Sequence, residues 1–362
     1  MHLVIIVGTR PNFIKVTRFK KAASIHFPEI KISIVHTGQH SDASMARIFF
    51  EQFGLFPDHE IHLGAETVTG QMAEIIVQLE KVLLAVQPDK VMVVGDVNST
   101  LAGAIAAAKL GISVVHLESG LRSFDRSMPE EINRIITDRI ADEFFITEKS
   151  GKENLLNEGV DPRHIHFTGN TMIDSMVEYS SQIKQSSVTG QLDVKENEFI
   201  LMTMHRPATV DRKEGLLQLA ELLNELIGFY PVVFPVHPRT KKNISQFGLE
   251  KEFFSHKKII FTSPLSYFDF QKLVSDCRFV LTDSGGIQEE TTWLKKPCLT
   301  LRKNTERPVT VTQGTNTLVP FQTGIILEYV RQIENNTYKK GEIPENWDGK
   351  STERVLEIIS RL

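Results

Sequence analysis

The chain is poor in cysteine, has no long apolar run and has no marked excess of either charge. Its two cysteines, Cys277 and Cys298, argue against a disulfide framework or a cysteine-based zinc site, and they are typical of a reducing compartment such as the cytoplasm. No apolar stretch approaches the length of a membrane span, so we expect no membrane partner. The net charge of -4 argues against nucleic acid as a partner, although it says nothing about local basic pockets.

Short apolar runs alternate with longer segments of helical periodicity in both halves of the chain. The predicted strands are 2–7, 31–35, 90–94, 112–116, 143–147 and 164–168 in the first half, and 198–203, 231–236, 257–262, 278–282 and 297–301 in the second. Continuous apolar strands that alternate with helices are typical of parallel sheets covered on both faces. The predicted fold class is therefore α/β, with two Rossmann-like domains and a cleft between them that holds a ligand.

The predicted domain boundary follows the sixth strand. We place the first domain at 1–170 and the second at 171–350, and a length of 362 residues agrees with two domains. The stretch QSSVTGQLDVKENE (185–198) is polar and aperiodic, and it is the predicted linker. A last helix is predicted at 351–361.

The clearest candidate for an anion site is LTDSGGIQEE, where a strand runs into Ser284, Gly285 and Gly286 and then into a helix. Glycines let the backbone approach an anion, and a helix N-terminus favours negative charge. The alternative is a tight turn that needs glycine only for packing. No Walker A lysine is present, which argues against ATP in a P-loop. Glu290 is a candidate for binding ribose hydroxyls, and its alternative is a solvated charge.

Cations also follow predicted strands. Arg10 and Lys15 in GTRPNFIK flank a predicted helix N-terminus, although this motif taken alone favours a plain turn with two solvated cations. His205 in MHRP and His237 in VHPR each have an arginine within two positions, which favours a polyanion site over a structural role. The loop RKNTERP (302–308) adds further cations.

Three carboxylates stand at predicted strand or helix ends of the first domain: Asp96 in GDVNST, Glu118 in HLESG and Glu130 in SMPEE. Acids that lie close together push one another's pKa values apart, which suits proton transfer. The alternative for Glu130 is structural, because SMPE (127–130) has the spacing of a capping box. The motif HTGQH (36–40) has no glutamate at helical spacing, so we predict no metal site.

The stretch between Glu118 and Glu130 is unusually rich in charge. We predict that charged residues hold this loop by pairing, namely Arg122, Asp125, Arg126 and Arg134.

Taken together, the motifs resemble those of a known family. GTRPNFIK, HTGQH, GDVNST, HLESGLRSFDRSMPEEINR, HRP, VHPR, LTDSGGIQEE and NTERPVT occur in this order over most of the chain. They resemble the non-hydrolysing UDP-N-acetylglucosamine 2-epimerase family. The resemblance implies a glycosyltransferase-B type fold, a UDP-N-acetylhexosamine substrate, no cofactor and a homodimer. It also implies that the C-terminal helix, 351–362, packs back on the first domain.

By motif, the resemblance implies that the catalytic residues are Asp96, Glu118, Glu130 and His205. It places the substrate-binding residues at Arg10, Lys15, His237, Phe270, Ser284, Gly285, Gly286, Glu290 and Arg307. For Phe270 the alternative is a core position on an amphipathic helix. The implied reaction interconverts UDP-GlcNAc and UDP-ManNAc by elimination and re-addition of UDP through a 2-acetamidoglucal, for cell-surface polysaccharide precursors.

Two stretches depart from the family pattern. HRPATVD lacks a Glu-Asn pair found after the arginine in many members, and SDASMAR (41–47) lacks a glutamine found in members that bind a second, activating UDP-sugar. The resemblance therefore does not extend to activation by substrate. Alternative functions are 2-epimerisation of a modified UDP-N-acetyl sugar (a 2,3-diacetamido uronic acid or a fucosamine type), glycosyl transfer by the same fold, and non-catalytic sensing of a nucleotide sugar.

Overall fold

The computed structural model describes residues 1–39 and 49–362. The described chain divides into two units, residues 1–178 with 345–362 and residues 179–344. Each unit is built on its own parallel sheet, with helices between successive strands. The predicted fold class, α/β with two Rossmann-like domains, is confirmed.

The first unit has a seven-stranded sheet in the order β3-β2-β1-β4-β5-β6-β7. Its strands are β1 (His2–Val7), β2 (Lys31–His36), β3 (His59–Glu60), β4 (Lys90–Val94), β5 (Ser113–Leu117), β6 (Glu143–Ile146) and β7 (Ile165–Phe167). Its helices are Arg10–Val16, Phe19–His26, Val68–Val86, Asn98–Lys109, Pro129–Ile140, Lys149–Asn157, Thr171–Glu178 and Ser351–Ile359, with a 3-10 turn at Pro162–His164. Successive residues of β1 such as Val4 and Ile5 are fully buried, so both faces of this sheet are covered.

The second unit has a six-stranded sheet in the order β10-β9-β8-β11-β12-β13. Its strands are β8 (Ile200–Thr203), β9 (Val232–Pro235), β10 (Ile259–Thr262), β11 (Phe279–Thr282), β12 (Cys298–Thr300) and β13 (Asn316–Leu318). Its helices are Ser180–Gln185, Val188–Gln191, Pro207–Val210, Lys213–Leu226, Pro238–Gln246, Glu250–Phe254, Tyr267–Asp276, Gly286–Trp293, Pro308–Thr312 and Thr323–Glu334. Both sheets therefore have the strand order of a Rossmann fold.

Helix Thr171–Glu178, which we assigned to the second domain, lies in the first unit. The reason is local packing, because the Ser175 hydroxyl lies 2.7 Å from that of Thr17 and donates to the Ile14 carbonyl. The division of the structure therefore falls later in the chain than the predicted boundary.

The stretch 185–198, predicted as a linker, is an integral part of the second unit. Val188 and Val194 are buried in a hydrophobic cluster of that unit, together with Phe199 and Leu273. Two buried valines among polar residues were too few to produce a readable period, which is why the prediction was wrong.

The C-terminal helix, Ser351–Ile359, lies in the first unit. The buried carboxylate of Asp174 accepts hydrogen bonds from the backbone N–H groups of Ser351 and Thr352, at 3.1 and 2.5 Å. Trp347, just before the helix, is buried and donates from its indole to the carbonyl of Thr147 at 3.0 Å. The bonds to Asp174 satisfy two of the orphan donors at the start of the helix, and together with the bond of Trp347 they attach the C-terminal segment to the first unit.

Candidate active site

In both sheets the strand order reverses beside the first strand of the unit, between β1 and β4 and between β8 and β11. In open parallel sheets, ligands bind at the carboxyl ends of the strands at such a point. Most candidate residues directly follow these strands or their neighbours: Arg10 and Lys15 follow β1, Asp96 follows β4, Glu118 follows β5, His205 follows β8, and Ser284, Gly285 and Gly286 follow β11. Each unit therefore presents candidate residues at the place where its topology favours a ligand.

Lys15 and Glu118 form a buried ion pair at the carboxyl end of the first sheet, and each residue is 5% exposed. The alternative of a solvated Lys15 is therefore wrong. Glu118 has a φ of +69°, in the left-handed region that non-glycine residues rarely adopt and that is concentrated at functional sites. A Cβ on Gly95 would lie 3.7 Å from Lys15 Nζ and 4.0 Å from Glu118 Oε1. The loop that follows β4 therefore also lies close to this ion pair.

Asp96 is held by the guanidinium of Arg134, which also pairs with Glu131. Glu131 is buried and accepts hydrogen bonds from the backbone N–H groups of Ser123 and Phe124, at 2.9 and 2.8 Å. Burial raises the pKa of Glu131, but these hydrogen bonds and the charge of Arg134 outweigh burial and hold the pKa below its usual range. Glu131, which the sequence analysis overlooked, therefore anchors the charged loop.

Glu130 is exposed on the first turn of helix Pro129–Ile140. The helix begins after Met128 without a side-chain cap, and the Ser127 hydroxyl donates to Asp125 at 2.6 Å instead. The capping-box interpretation of Glu130 is therefore wrong. Glu130 is instead an exposed carboxylate one helical turn before Arg134, the residue that holds Asp96.

Arg122 and Arg134 do hold the charged loop by pairing, as predicted. Arg122 contacts Asp138 at 2.7 Å and Glu158 at 2.8 Å, and these carboxylates lie outside the stretch itself. Asp125 accepts from Ser127 and contributes a local turn. The loop is therefore fixed to its surroundings rather than only to itself.

In the second unit, His205 pairs with the buried Asp283. His205 Nδ1 lies 2.7 Å from Asp283 Oδ1, while Oδ2 accepts from the backbone N–H groups of His205 and Arg206, at 2.8 and 2.7 Å. Burial raises the pKa of Asp283, but His205 and these N–H donors outweigh burial, so the pKa lies below its usual range. An ionised Asp283 fixes the proton on Nδ1 and leaves Nε2 of His205 for a substrate.

His237 stands beside His205, with ring centroids 5.6 Å apart. It is also the N-cap of helix Pro238–Gln246, because its Nδ1 accepts from the N–H of Arg239 at 3.2 Å. Arg239 in turn pairs with Asp211. His237 therefore has a structural task in addition to its position next to His205.

The Ser-Gly-Gly turn after β11 lies against Arg307. A Cβ on Gly285 would lie 2.8 Å from Arg307 Nη1 and 2.7 Å from Glu306 Oε1, so any larger residue here would displace the ends of these two side chains. Arg307 is buried and pairs with both Glu306 and Glu289. The N–H of Ser284 donates to its own strand, at Thr282 Oγ1, at 2.9 Å. A cation beside a helix N-terminus is well suited to a phosphate group.

Glu290 is buried in helix Gly286–Trp293, so the alternative of a solvated charge is wrong. Burial raises the pKa of Glu290 to about 7, with the charge of Glu289 acting in the same direction. Phe270 is half-buried and packs against the core cluster of its unit, so its core interpretation holds in part.

Among residues 1–39 and 49–362, no three His, Cys, Asp or Glu side chains are arranged to hold a metal ion. His40 of the HTGQH motif and the stretch 41–47 lie outside the described residues. His164 and His166 both contact Glu143, at 2.9 and 2.7 Å. In the described part of the chain, no helix combines the length and apolar character needed to cross a bilayer.

Comparison with known proteins identifies close relatives over the whole length. A family model described as UDP-N-acetylglucosamine 2-epimerase matches residues 23–360. The UDP-N-acetylglucosamine 2-epimerase of Methanocaldococcus jannaschii is 41% identical over 99% of both chains. The UDP-2,3-diacetamido-2,3-dideoxy-D-glucuronate 2-epimerase of Pseudomonas aeruginosa is 38% identical over all of both chains.

A solved structure of the Methanocaldococcus jannaschii enzyme, in complex with UDP-GlcNAc and UDP, covers all of both chains with a TM-score of 0.90 and 40% identity. Such structural relatives have a glycosyltransferase-B type two-domain fold, as the resemblance implied. The relatives are UDP-sugar 2-epimerases, so the prediction of an isomerase of this class is confirmed. The chain therefore belongs to the UDP-N-acetylglucosamine 2-epimerase family.

Proposed function

We propose that this enzyme interconverts UDP-GlcNAc and UDP-ManNAc by eliminating and re-adding UDP through a 2-acetamidoglucal. The observation that carries the proposal is the acid cluster at the carboxyl end of the first sheet. There Glu118 is buried against Lys15, and Asp96 is held by Arg134 on the helix that begins beside Glu130. This unit supplies acid/base groups, and the second unit binds the UDP moiety.

Elimination of UDP must precede or accompany removal of the C2 proton. No carbonyl group in the sugar acidifies that proton, so a carboxylate alone removes it too slowly. Departure of UDP from C1 leaves an oxocarbenium-like centre, which makes the adjacent C2 proton acidic. The enzyme therefore has to stabilise the departing diphosphate before proton transfer becomes fast.

The diphosphate is stabilised by cations and N–H donors. In the second unit these are His205, oriented by Asp283, the helix start at Gly286, and Arg307, which is held by two carboxylates. Arg10, at the start of the first helix, is a further cation that we assign to UDP. Loss of one preorganised donor of this kind is expected to cost about 3 kcal/mol of transition-state stabilisation.

Proton transfer on two faces of the ring requires at least two acid/base groups. Asp96, Glu118 and Glu130 are the candidates. Glu118 and Asp96 are each paired with a cation, Lys15 and Arg134 respectively, which suits charge stabilisation, whereas Glu130 is exposed on the first turn of its helix. We therefore assign Glu130 to proton exchange on one face of the sugar.

A modified UDP-N-acetyl sugar is the second candidate substrate, because a relative of nearly equal identity acts on a 2,3-diacetamido glucuronate. The deciding experiment is a panel of UDP-sugars in which formation of the C2 epimer is followed by NMR. We expect UDP-GlcNAc to give the highest kcat/KM. A higher value for the diacetamido uronic acid would assign that substrate instead, and turnover only with an added acceptor would indicate a glycosyltransferase.

Glu290 makes binding of the substrate depend on pH. We assign its carboxylate to the ribose hydroxyls, which donate hydrogen bonds and so favour the ionised form. Since the pKa of the empty site is about 7, UDP-GlcNAc binding should release protons near neutral pH, and affinity should rise by up to about tenfold per pH unit below that pKa. Calorimetry in buffers of different ionisation enthalpy measures the release.

The control for this prediction is Glu290→Gln, which keeps the shape of the side chain but does not titrate. It should bind UDP-GlcNAc with less proton release than the wild type and with a flatter dependence on pH. Equal proton release by the two proteins would contradict the assignment of Glu290 to the ribose.

We further propose a homodimer in the cytoplasm. The cytoplasmic location is supported by the two cysteines, which are free thiols buried in the second unit. The dimer rests on the family resemblance alone, and sedimentation equilibrium tests it by giving the particle mass relative to that of the chain.

A further inference from the structure

His116 is a fully buried histidine whose two ring nitrogens both face oxygen acceptors. Nδ1 lies 2.6 Å from Asp138 Oδ1, and Nε2 lies 2.7 Å from the carbonyl oxygen of Gly95. A carbonyl oxygen only accepts hydrogen bonds, so Nε2 must carry a proton. Whether Nδ1 also carries one depends on the charge of Asp138.

The surroundings of Asp138 favour its ionised form. Its Oδ2 accepts from the backbone N–H of Gly120 at 3.1 Å and lies 2.7 Å from Arg122 Nη1. The guanidinium of Arg122 is always charged, so Arg122 and the Gly120 N–H favour the ionised carboxylate of Asp138 whatever the charge of His116. With Asp138 ionised, Nδ1 of His116 donates as well, and the ring carries both protons and a positive charge.

These bonds connect the two loops that carry acids of the candidate site. The carbonyl that accepts from Nε2 belongs to Gly95, directly before Asp96. Glu118 follows His116 by two residues, and the N–H that binds Asp138 belongs to Gly120, just beyond Glu118. Gly95 and Glu118 both have positive φ values, +67° and +69°, so each loop makes a sharp turn that must be held in place.

We propose that His116 is a buried imidazolium that, with Asp138, sets the relative positions of Asp96 and Glu118. It is a positioning residue, since it reaches the acids only through the backbone of their loops. The assignment of Asp96 and Glu118 as the groups being positioned rests on the proposed function. The geometry of the His116–Asp138–Gly95 chain does not depend on it.

The kinetic test is His116→Gln, which cannot bridge Asp138 and Gly95 with two charged donors. We expect kcat to fall by about 10²-fold, as for a displacement of about 1 Å in a catalytic group. KM should change by less than about threefold and the affinity for UDP should be unchanged, because the UDP-binding residues of the second unit are untouched. Unchanged kcat in the folded variant would overturn the proposal.

The matched control is His166→Gln. His166 also contacts a carboxylate in the same sheet, Glu143 at 2.7 Å, but it lies on β7 and touches neither loop. A general loss of stability from removing a histidine–carboxylate contact should appear in both variants as a lower melting temperature. Loss of kcat should appear only in His116→Gln, and an equal loss in both would overturn the positioning role.

A spectroscopic measurement decides the charge of His116 without any activity. The protein is labelled with ¹⁵N at the histidine rings. Signals that are absent from the spectrum of His116→Gln belong to His116. If His116→Gln does not fold, Asp138→Asn supplies the assignment instead. If both ring nitrogens of His116 are protonated at neutral pH, the proposed imidazolium is supported. If only one nitrogen is protonated, the proposal is overturned. If the wild type epimerises no UDP-sugar, the proposed function fails, while this measurement still decides the present inference.

Discussion

Replacement of Glu130 with glutamine is expected to lower kcat for epimerisation by about 10²–10⁴-fold, the usual contribution of a general acid or base. The side chain is exposed and the helix that carries it begins without a side-chain cap, so the variant should keep its melting temperature. Affinity for UDP should also be unchanged. Steady-state kinetics, thermal unfolding and calorimetry with UDP measure the three quantities on one preparation.

The neighbouring residue provides the control. Glu131 is buried, pairs with Arg134 and accepts two backbone hydrogen bonds, so Glu131→Gln should reduce the free energy of unfolding by about 3 kcal/mol. It should lower kcat only through the loop that it holds. A Glu130→Gln variant that unfolds early but keeps its activity per folded molecule would contradict the assignment of Glu130 to proton transfer.

Replacement of Asp283 with asparagine is expected to lower kcat by about 10²-fold or more. Both carboxylate oxygens of Asp283 face donors, at His205 Nδ1 and at two backbone N–H groups. An asparagine presents an N–H₂ group to one of these donors, so it either turns the His205 ring into the wrong tautomer or releases the backbone after β8. Either change removes His205 from the departing diphosphate.

A double-mutant cycle separates this effect from general damage. His205→Asn should lose about as much activity as Asp283→Asn, and the double variant should lose little more than either single variant, because the two residues act as one unit. Additive losses in the logarithm of kcat would show that Asp283 does not act through His205.

Sequence patterns predicted the fold class and most strands, because a buried parallel strand is a continuous apolar run. Among the elements that these patterns missed, two short strands and one long helix have identifiable reasons. Strand His59–Glu60 has two residues and no apolar character, and Asn316–Leu318 is polar at two of its three positions. Helix Thr323–Glu334 has a clear apolar face but follows a Pro- and Gly-containing stretch, which hid its start.

The candidate site was predicted from motifs that directly follow strands. These motifs identified single candidate residues but not the residues with which they pair. Nothing in the sequence pairs Lys15 with Glu118 or Arg134 with Asp96, because each pair joins segments distant in the chain. Asp283 and Glu131 were overlooked as single acids inside recognised motifs. For Glu131 one signal was available, namely the two consecutive glutamates of SMPEE. A capping box uses only the first of them, Glu130, so the second needed another explanation.

Incorporation of deuterium at C2 tests the proposed mechanism most directly. Purified protein is incubated with UDP-GlcNAc in D₂O, and the hydrogen at C2 of both the remaining substrate and the product is followed by NMR. The mechanism predicts that wild-type protein introduces deuterium at C2 of both UDP-GlcNAc and its epimer, and that Glu130→Gln does so far more slowly. Formation of the epimer with retention of the original C2 hydrogen would contradict proton transfer through these carboxylates.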